Sequence, residues 1–147
     1  MDLTTFNSNS AAETLNAGNA FASRLRQGDV VALNGPMGAG KTHFAKGIAS
    51  FFSVNPDSVS SPTFTLIHEY PCSIGTIYHM DLYRIETIGE AMNIGFEDYL
   101  HPDGITLIEW SERVHAIVPE TIYSVSFKME SESQRIISVT QGKVPYA

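Results

Sequence analysis

The chain has a single cysteine, Cys72, in 147 residues. It therefore cannot form an internal disulfide, and a thiolate metal site would find no second thiol. A small apolar filler near a turn is the role expected of Cys72. Cations are also few, with nine Lys and Arg against sixteen Asp and Glu and a net charge of −7. They are scattered, and the nearest pair, Arg24 and Arg26, falls at an expected helix end, where cations suit the helix dipole. A protein that grips nucleic acid unaided carries a basic stripe or cluster; independent tRNA or DNA binding is not expected. No apolar run approaches the roughly twenty residues that cross a bilayer, so no membrane role is expected. The opening Met1-Asp2-Leu3-Thr4 has no basic stretch leading into an apolar one, and no secretion signal is read there. With 43% hydrophobic and 17% charged residues, the composition is that of a soluble globular protein. Residues 1–147 are read as one domain of common size, placed in the cytoplasm.

What the chain does contain is Gly35-Pro36-Met37-Gly38-Ala39-Gly40-Lys41-Thr42, which reads G-x-x-x-x-G-K-T, the phosphate-loop pattern. An apolar run, Val30 to Leu33, leads into it, and a helix-competent run, Thr42 to Phe52, leaves it. Glycines at 35, 38 and 40 let the backbone turn its N–H groups inward around a phosphate, since no Cβ blocks the approach. The start of the following helix adds partial positive charge and unpaired N–H groups. Lys41 is then placed to reach the β- and γ-phosphates, and the Thr42 hydroxyl to ligate Mg²⁺. The loop supplies its own positive field, so overall acidity does not oppose nucleotide binding.

The rest of the chain alternates helix and strand signals. Leu3 to Phe6 is a short candidate edge strand, and Asn7 to Ser10 offers N-caps to a helix over Ala11 to Arg26, which Gly28 ends. Ser53 to Pro62 is a loop rich in proline and serine. Thr63 to Tyr70 is β-rich, and Pro71 to Gly75 reads as a hairpin connection into Ile77 to Asp81. Thr87 to Leu100 holds one or two short helices broken near Gly95, and His101-Pro102-Asp103-Gly104 has the composition of a turn. Ile105 to Glu109 is a buried-type strand, a short helical or irregular stretch runs to Pro119, and strands are expected over Ile122 to Met129 and Arg135 to Thr140.

Two of these strands end in carboxylates, Asp81 and Glu109. Ligands of open α/β sheets sit beyond the carboxyl ends of parallel strands, and phosphate-loop enzymes need an acid near Mg²⁺, directly or through water. Either residue fits that role. The simplest arrangement has both facing the metal, with Asp81 close to it and Glu109 ordering water. His79 precedes Asp81 by two and shares its strand face, where a hydrogen-bonded histidine beside the site is favoured over a metal pair. Trp110 either shields the site, meets a partner or fills the core. Tyr83 and Arg84 are candidates for contacts to a partner or a switch, and Arg84 also for stabilising transferred charge.

Taken in order, Gly38-Ala39-Gly40-Lys41-Thr42, Ser61-Pro62-Thr63-Phe64-Thr65, His79-Met80-Asp81-Leu82-Tyr83-Arg84 and Ile108-Glu109-Trp110 resemble the TsaE (YjeE) family of small bacterial P-loop ATPases. That family serves tRNA threonylcarbamoyladenosine modification. The resemblance covers most of the chain and implies a P-loop NTPase-like α/β fold, its mixed sheet combining a parallel core with antiparallel flanking strands. It implies ATP and Mg²⁺ as cofactors, with Gly38, Ala39, Gly40, Lys41, Thr42 and His43 around the phosphates. Thr42, Asp81 and Glu109 would form the Mg²⁺ environment. Ser61, Pro62, Thr63, Phe64 and Thr65 would form a switch answering to the γ-phosphate, and Thr14 and Arg135 would lie near the base. One departure is Pro36-Met37, where the family often has an acidic residue after the first loop glycine. Those are variable positions of the loop pattern.

The function implied is that of a weak Mg-ATPase dependent on its partners, the TsaD and TsaB proteins, with Lys41, Glu109 and Asp81 as catalytic residues. Two other readings remain beside it: a small-molecule P-loop kinase, which would need an acceptor pocket and an arginine-bearing lid, and a nucleotide-gated binding module in which hydrolysis is incidental.

Overall fold

The computed structural model describes residues 2–100 and 103–142 of the chain. The turn expected at His101 and Pro102 lies outside the described residues. Seven strands form one sheet: β1 (Asp2–Ser8), β2 (Val30–Asn34), β3 (Ile67–Cys72), β4 (Gly75–Asp81), β5 (Gly104–Glu109), β6 (Tyr123–Met129) and β7 (Arg135–Gln141). Their order is β1-β7-β6-β2-β5-β4-β3. The inner run β6-β2-β5-β4 is parallel, while β7 and β1 on one side and β3 on the other pair antiparallel. This is the mixed sheet expected, with a parallel core between antiparallel margins. β5 is buried along its whole length and β2 for its first four residues, as near-continuous apolar runs in a doubly covered sheet must be.

Helices α1 (Ala11–Ala22) and α2 (Lys41–Phe51) cover one face. There Phe44 is the hub, its ring 5.3 Å from Phe127 and 5.8 Å from Phe21. Cys72 is half-buried and packs against this core, as its expected filler role requires. Helix α3 (Ile88–Asn93) and two 3₁₀ segments, Phe96–Tyr99 and Ser111–Ile117, contribute Ala91, Phe96 and Val114 to a second core with Met80, Leu82 and Ile108. The α1–α2 contact is close enough to require glycine at 47, where a Cβ would lie 1.9 Å from the Leu15 carbonyl oxygen. Gly47→Ala should therefore destabilise the fold by about 1–3 kcal/mol, the range of overpacked cores, read as a lower midpoint in urea unfolding.

Three expected boundaries move. The helix over Ala11 to Arg26 ends at Ala22, where the N–H groups of Ser23, Arg24 and Leu25 turn to carbonyls three residues back and the chain continues in tight turns. Leu25 is nevertheless buried. The β-rich stretch from Thr63 becomes a strand only at Ile67. The Leu66 N–H donates to the Pro62 carbonyl (2.6 Å), and Leu66 takes a left-handed φ of 72°, so residues 63–66 form a turn. Pro71 sits inside β3 rather than closing it, which an edge strand tolerates.

Candidate functional site

The glycine loop joins β2 to α2 at the carboxyl end of the parallel strands. Gly40 is the residue at the helix start, with φ 105°, a conformation that admits few other residues. No side chain caps α2, and the first N–H groups of a helix have no partner within it. β5 pairs with β2 and with β4 so that Leu33, Glu109 and Asp81 form one row across three strands. That row places both carboxylates beside the loop. They line a cleft of about 400 Å³ together with Gly38, Gly40, Lys41, Thr42, His43, Ser61, Thr63 and Trp110.

Lys41 is 6% exposed. Its Nζ donates to the Gly35 carbonyl (2.7 Å), lies 4.0 Å from Glu109 Oε1, and sits 4.7 Å from the centre of the Trp110 ring. Burial pushes its pKa below the ordinary lysine value, and attraction from Glu109, then Asp81 and Glu112, offsets only part of that. Glu109 is in turn held from behind, its Oε2 lying 2.7 Å from Nε2 of the fully buried His79. Asp81 Oδ1 accepts from the Tyr83 N–H (2.9 Å). Asp81 Oδ2 accepts from the Thr63 hydroxyl (2.8 Å) and at longer range from Ser61 (3.4 Å).

The structure thus brings Ser61 and Thr63 of the expected switch to Asp81, and turns Phe64 and Thr65 away. Phe64 is 84% exposed with Arg84 5.6 Å above its ring, and Thr65 bonds to His68 (2.8 Å). Pro62 is buried between them. Arg84 accordingly faces a neighbouring groove with Phe64, not the cleft. Thr14 and Arg135 meet behind the glycine loop in a second hollow of about 250 Å³ that shares Gly38, Gly40 and His43 with the first. Thr14 is buried against the Ser8 hydroxyl (2.7 Å), and Arg135 donates to the Gly38 carbonyl (3.1 Å). Ala39 is packed into the core under the loop.

Trp110 stands half-buried at the rim, in a left-handed conformation (φ 61°). A tryptophan in that region is strained by about 1–2 kcal/mol, and its contacts with Tyr83 (4.9 Å) and Lys41 hold it there. Reading the sequence missed Arg113, whose guanidinium lies 5.8 Å from the Trp110 ring and donates to the Tyr83 carbonyl (3.3 Å). A lone arginine in a short 3₁₀ stretch carries no periodic signal.

Among the described residues, no three His, Cys, Asp or Glu side chains cluster as a metal site of their own. The hard oxygen donors lining the cleft are the hydroxyls of Thr42, Ser61 and Thr63 and the carboxylates of Asp81 and Glu109. That set suits Mg²⁺, which takes one or two carboxylates and completes its shell with phosphate and water.

Strand, glycine loop and helix, with acids at the ends of two neighbouring strands, define a P-loop NTPase-like α/β protein. Similarity to known proteins narrows this to one family. The family described as "Threonylcarbamoyl adenosine biosynthesis protein TsaE" matches residues 8–137. Proteins named "tRNA threonylcarbamoyladenosine biosynthesis protein TsaE" are 39% identical in Rickettsia bellii (90% of this chain, 91% of the relative) and 36% in Treponema pallidum (90% and 96%). The protein of that name in Bacillus subtilis is 38% identical over 82% of this chain and 73% of its own. The crystal structure of YdiB from B. subtilis superposes with a TM-score of 0.79 at 28% identity, over 97% of this chain and 88% of that one. The chain belongs to the TsaE family. Among the described residues, no helix is long and apolar enough to cross a membrane.

Proposed function

We propose that this chain is a weak Mg-ATPase, acting in the cytoplasm as one domain. It serves threonylcarbamoyladenosine modification of tRNA, next to the anticodon, through the TsaD–TsaB complex. The observation that carries the reading is the convergence of Lys41, Asp81 and Glu109 on one glycine-loop cleft in a chain of the TsaE family. The loop from Gly38 to His43 would hold the phosphates by backbone N–H groups. Lys41 would leave the Gly35 carbonyl for a phosphate oxygen, a better partner for a buried cation. Thr42 and Asp81 would hold Mg²⁺, with Glu109 in its surroundings; when bound, the ion supplies charge stabilisation at the phosphates. Glu109 Oε1 would orient the attacking water. Thr14 and Arg135 would border the base, and residues 61–65 would switch, since the Ser61 and Thr63 hydroxyls occupy the Asp81 oxygen that Mg²⁺ or its water would take.

The five arginines of the chain leave the cleft without an evident charge-stabilising finger: Arg84 lies over Phe64 and Arg113 against Trp110 and Tyr83. Slow turnover in isolation is the natural result, with the partner completing the site. Phosphate release from ATP and from GTP, with and without TsaD and TsaB, tests this. Release that rises strongly only with both partners supports the proposal, and a phosphorylated metabolite formed without them would establish the kinase reading instead. Asp81→Ala should raise the Mg²⁺ concentration needed for half-maximal nucleotide binding by about 10-fold or more, read by titration at fixed nucleotide. An unchanged Mg²⁺ titration would remove Asp81 from the site.

A further inference from the structure

We propose that His79 is a positioning residue for Glu109, tying one carboxylate oxygen inside the sheet so that the other is presented to the cleft. The proposal rests on the ATPase reading above and adds a residue to it. His79 lies on β4, two residues before Asp81, and is fully buried. Its ring reaches to β5, where Nε2 lies 2.7 Å from Glu109 Oε2. The other ring nitrogen, Nδ1, is buried with no hydrogen-bond partner. A hydrogen on Nδ1 would be a buried donor with nothing to receive it, so the ring's hydrogen belongs on Nε2, donated to the carboxylate.

The two oxygens of Glu109 therefore differ. Oε2 is tied to the imidazole, while Oε1 is the one that stands 4.0 Å from Lys41 Nζ. The terminal torsion of a glutamate is broad, with no sharp well to fix the plane of the carboxylate. The Lys41 ammonium, 4.0 Å away and beyond hydrogen-bond distance, does not fix it either. The bond to His79 does, and orienting a water in line with a phosphate depends on that plane. A buried strand position filled for packing alone would carry an apolar side chain. This one leaves a ring nitrogen unsatisfied in order to place a donor under Glu109.

Three variants test the proposal: His79→Gln, whose amide reaches the Nε2 position; His79→Asn, whose amide stops short of it; and His79→Leu, which fills the space without a donor. ATP turnover is measured with TsaD and TsaB present. Binding of a non-hydrolysable ATP analogue to the chain is measured as a function of Mg²⁺. The expected result is a kcat lower by about 10-fold or more in the Asn and Leu variants and within about 3-fold of wild type in Gln, with KM within about 3-fold throughout. In a Glu109→Gln background the three variants should no longer differ, because the residue they act through is gone. The Mg²⁺ needed for half-maximal analogue binding should rise in Asn and Leu and stay put in Gln. Equal turnover and equal Mg²⁺ dependence across Gln, Asn and Leu would overturn the role of His79 and leave the ATPase reading standing. A wild-type chain that binds no analogue would remove both. Should the Leu variant fail to fold, the contrast between Gln and Asn, both polar, decides the matter.

Discussion

Lys41→Met is expected to cut ATP turnover by about 100-fold or more, as loss of a preorganised charge facing the reacting phosphate does, while leaving the unliganded fold at least as stable. The two halves of that result have one cause. In the unliganded chain Lys41 is 6% exposed, and its charge is met by one carbonyl at 2.7 Å, a carboxylate at 4.0 Å and an indole face. These contacts do not fully replace water, which is why its pKa falls. A group whose pKa is lower folded than unfolded binds less proton in the folded state between the two values. Stability therefore rises with pH across that window. Methionine has a similar shape and no charge, so this alkaline gain should vanish and the melting temperature at neutral pH should hold or increase. Thermal melts of both proteins from pH 7 to about pH 10, with a turnover assay beside them, measure both halves. Turnover at the wild-type rate would refute the role given to the loop, and a variant that melts well below wild type would refute the account of the buried charge.

Glu109→Gln carries the other large expected effect: turnover lower by about 100-fold or more, in the range of a lost general base or water-orienting group, with nucleotide affinity within a few-fold of wild type. The amide is nearly isosteric. Its carbonyl oxygen can take the hydrogen bond from His79, which turns its NH₂ toward Lys41 and the cleft. A donor then stands where a water's proton would have been accepted, next to another donor. Turnover with both partners and equilibrium binding of an ATP analogue separate the two quantities. Normal turnover would move the water-orienting role to Asp81. If tRNA modification persisted with hydrolysis lost, binding alone would be the working event, as in a nucleotide-gated module.

The parts of the fold legible in the sequence were those fixed by local chemistry. The run from Val30 to Phe52 announces strand, loop and helix by its apolar blocks and glycine spacing, and Asp81 and Glu109 stand out as acids closing apolar strands. Thr63 to Tyr70 misled because threonine and phenylalanine favour strands wherever they occur. Here the bond from Leu66 to Pro62 turns the first four residues and aims Thr63 at Asp81. Apolar spacing continues to Leu25 and so extends the expected α1, whereas the backbone after Ala22 has already tightened into turns bonded three residues back. Strand order was not legible at all, since pairing partners are distant in the chain and nothing local encodes them. The link between His79 and Glu109, and the contact of Arg135 with Gly38, follow from that order and were hidden with it.

The row of Leu33, Glu109 and Asp81 has a consequence for how a preparation of this protein should be judged. Successive side chains of a strand point to opposite faces, so sliding β4 by a single residue against β5 would turn Asp81 and His79 away together. Such a chain would still be dense, would keep its helices and would look native by circular dichroism. On the function proposed above, it would lose its response to Mg²⁺. Under that proposal, metal-dependent nucleotide binding is a stricter certificate of correct folding than compactness or helical signal, and the sounder basis for counting active molecules in a sample.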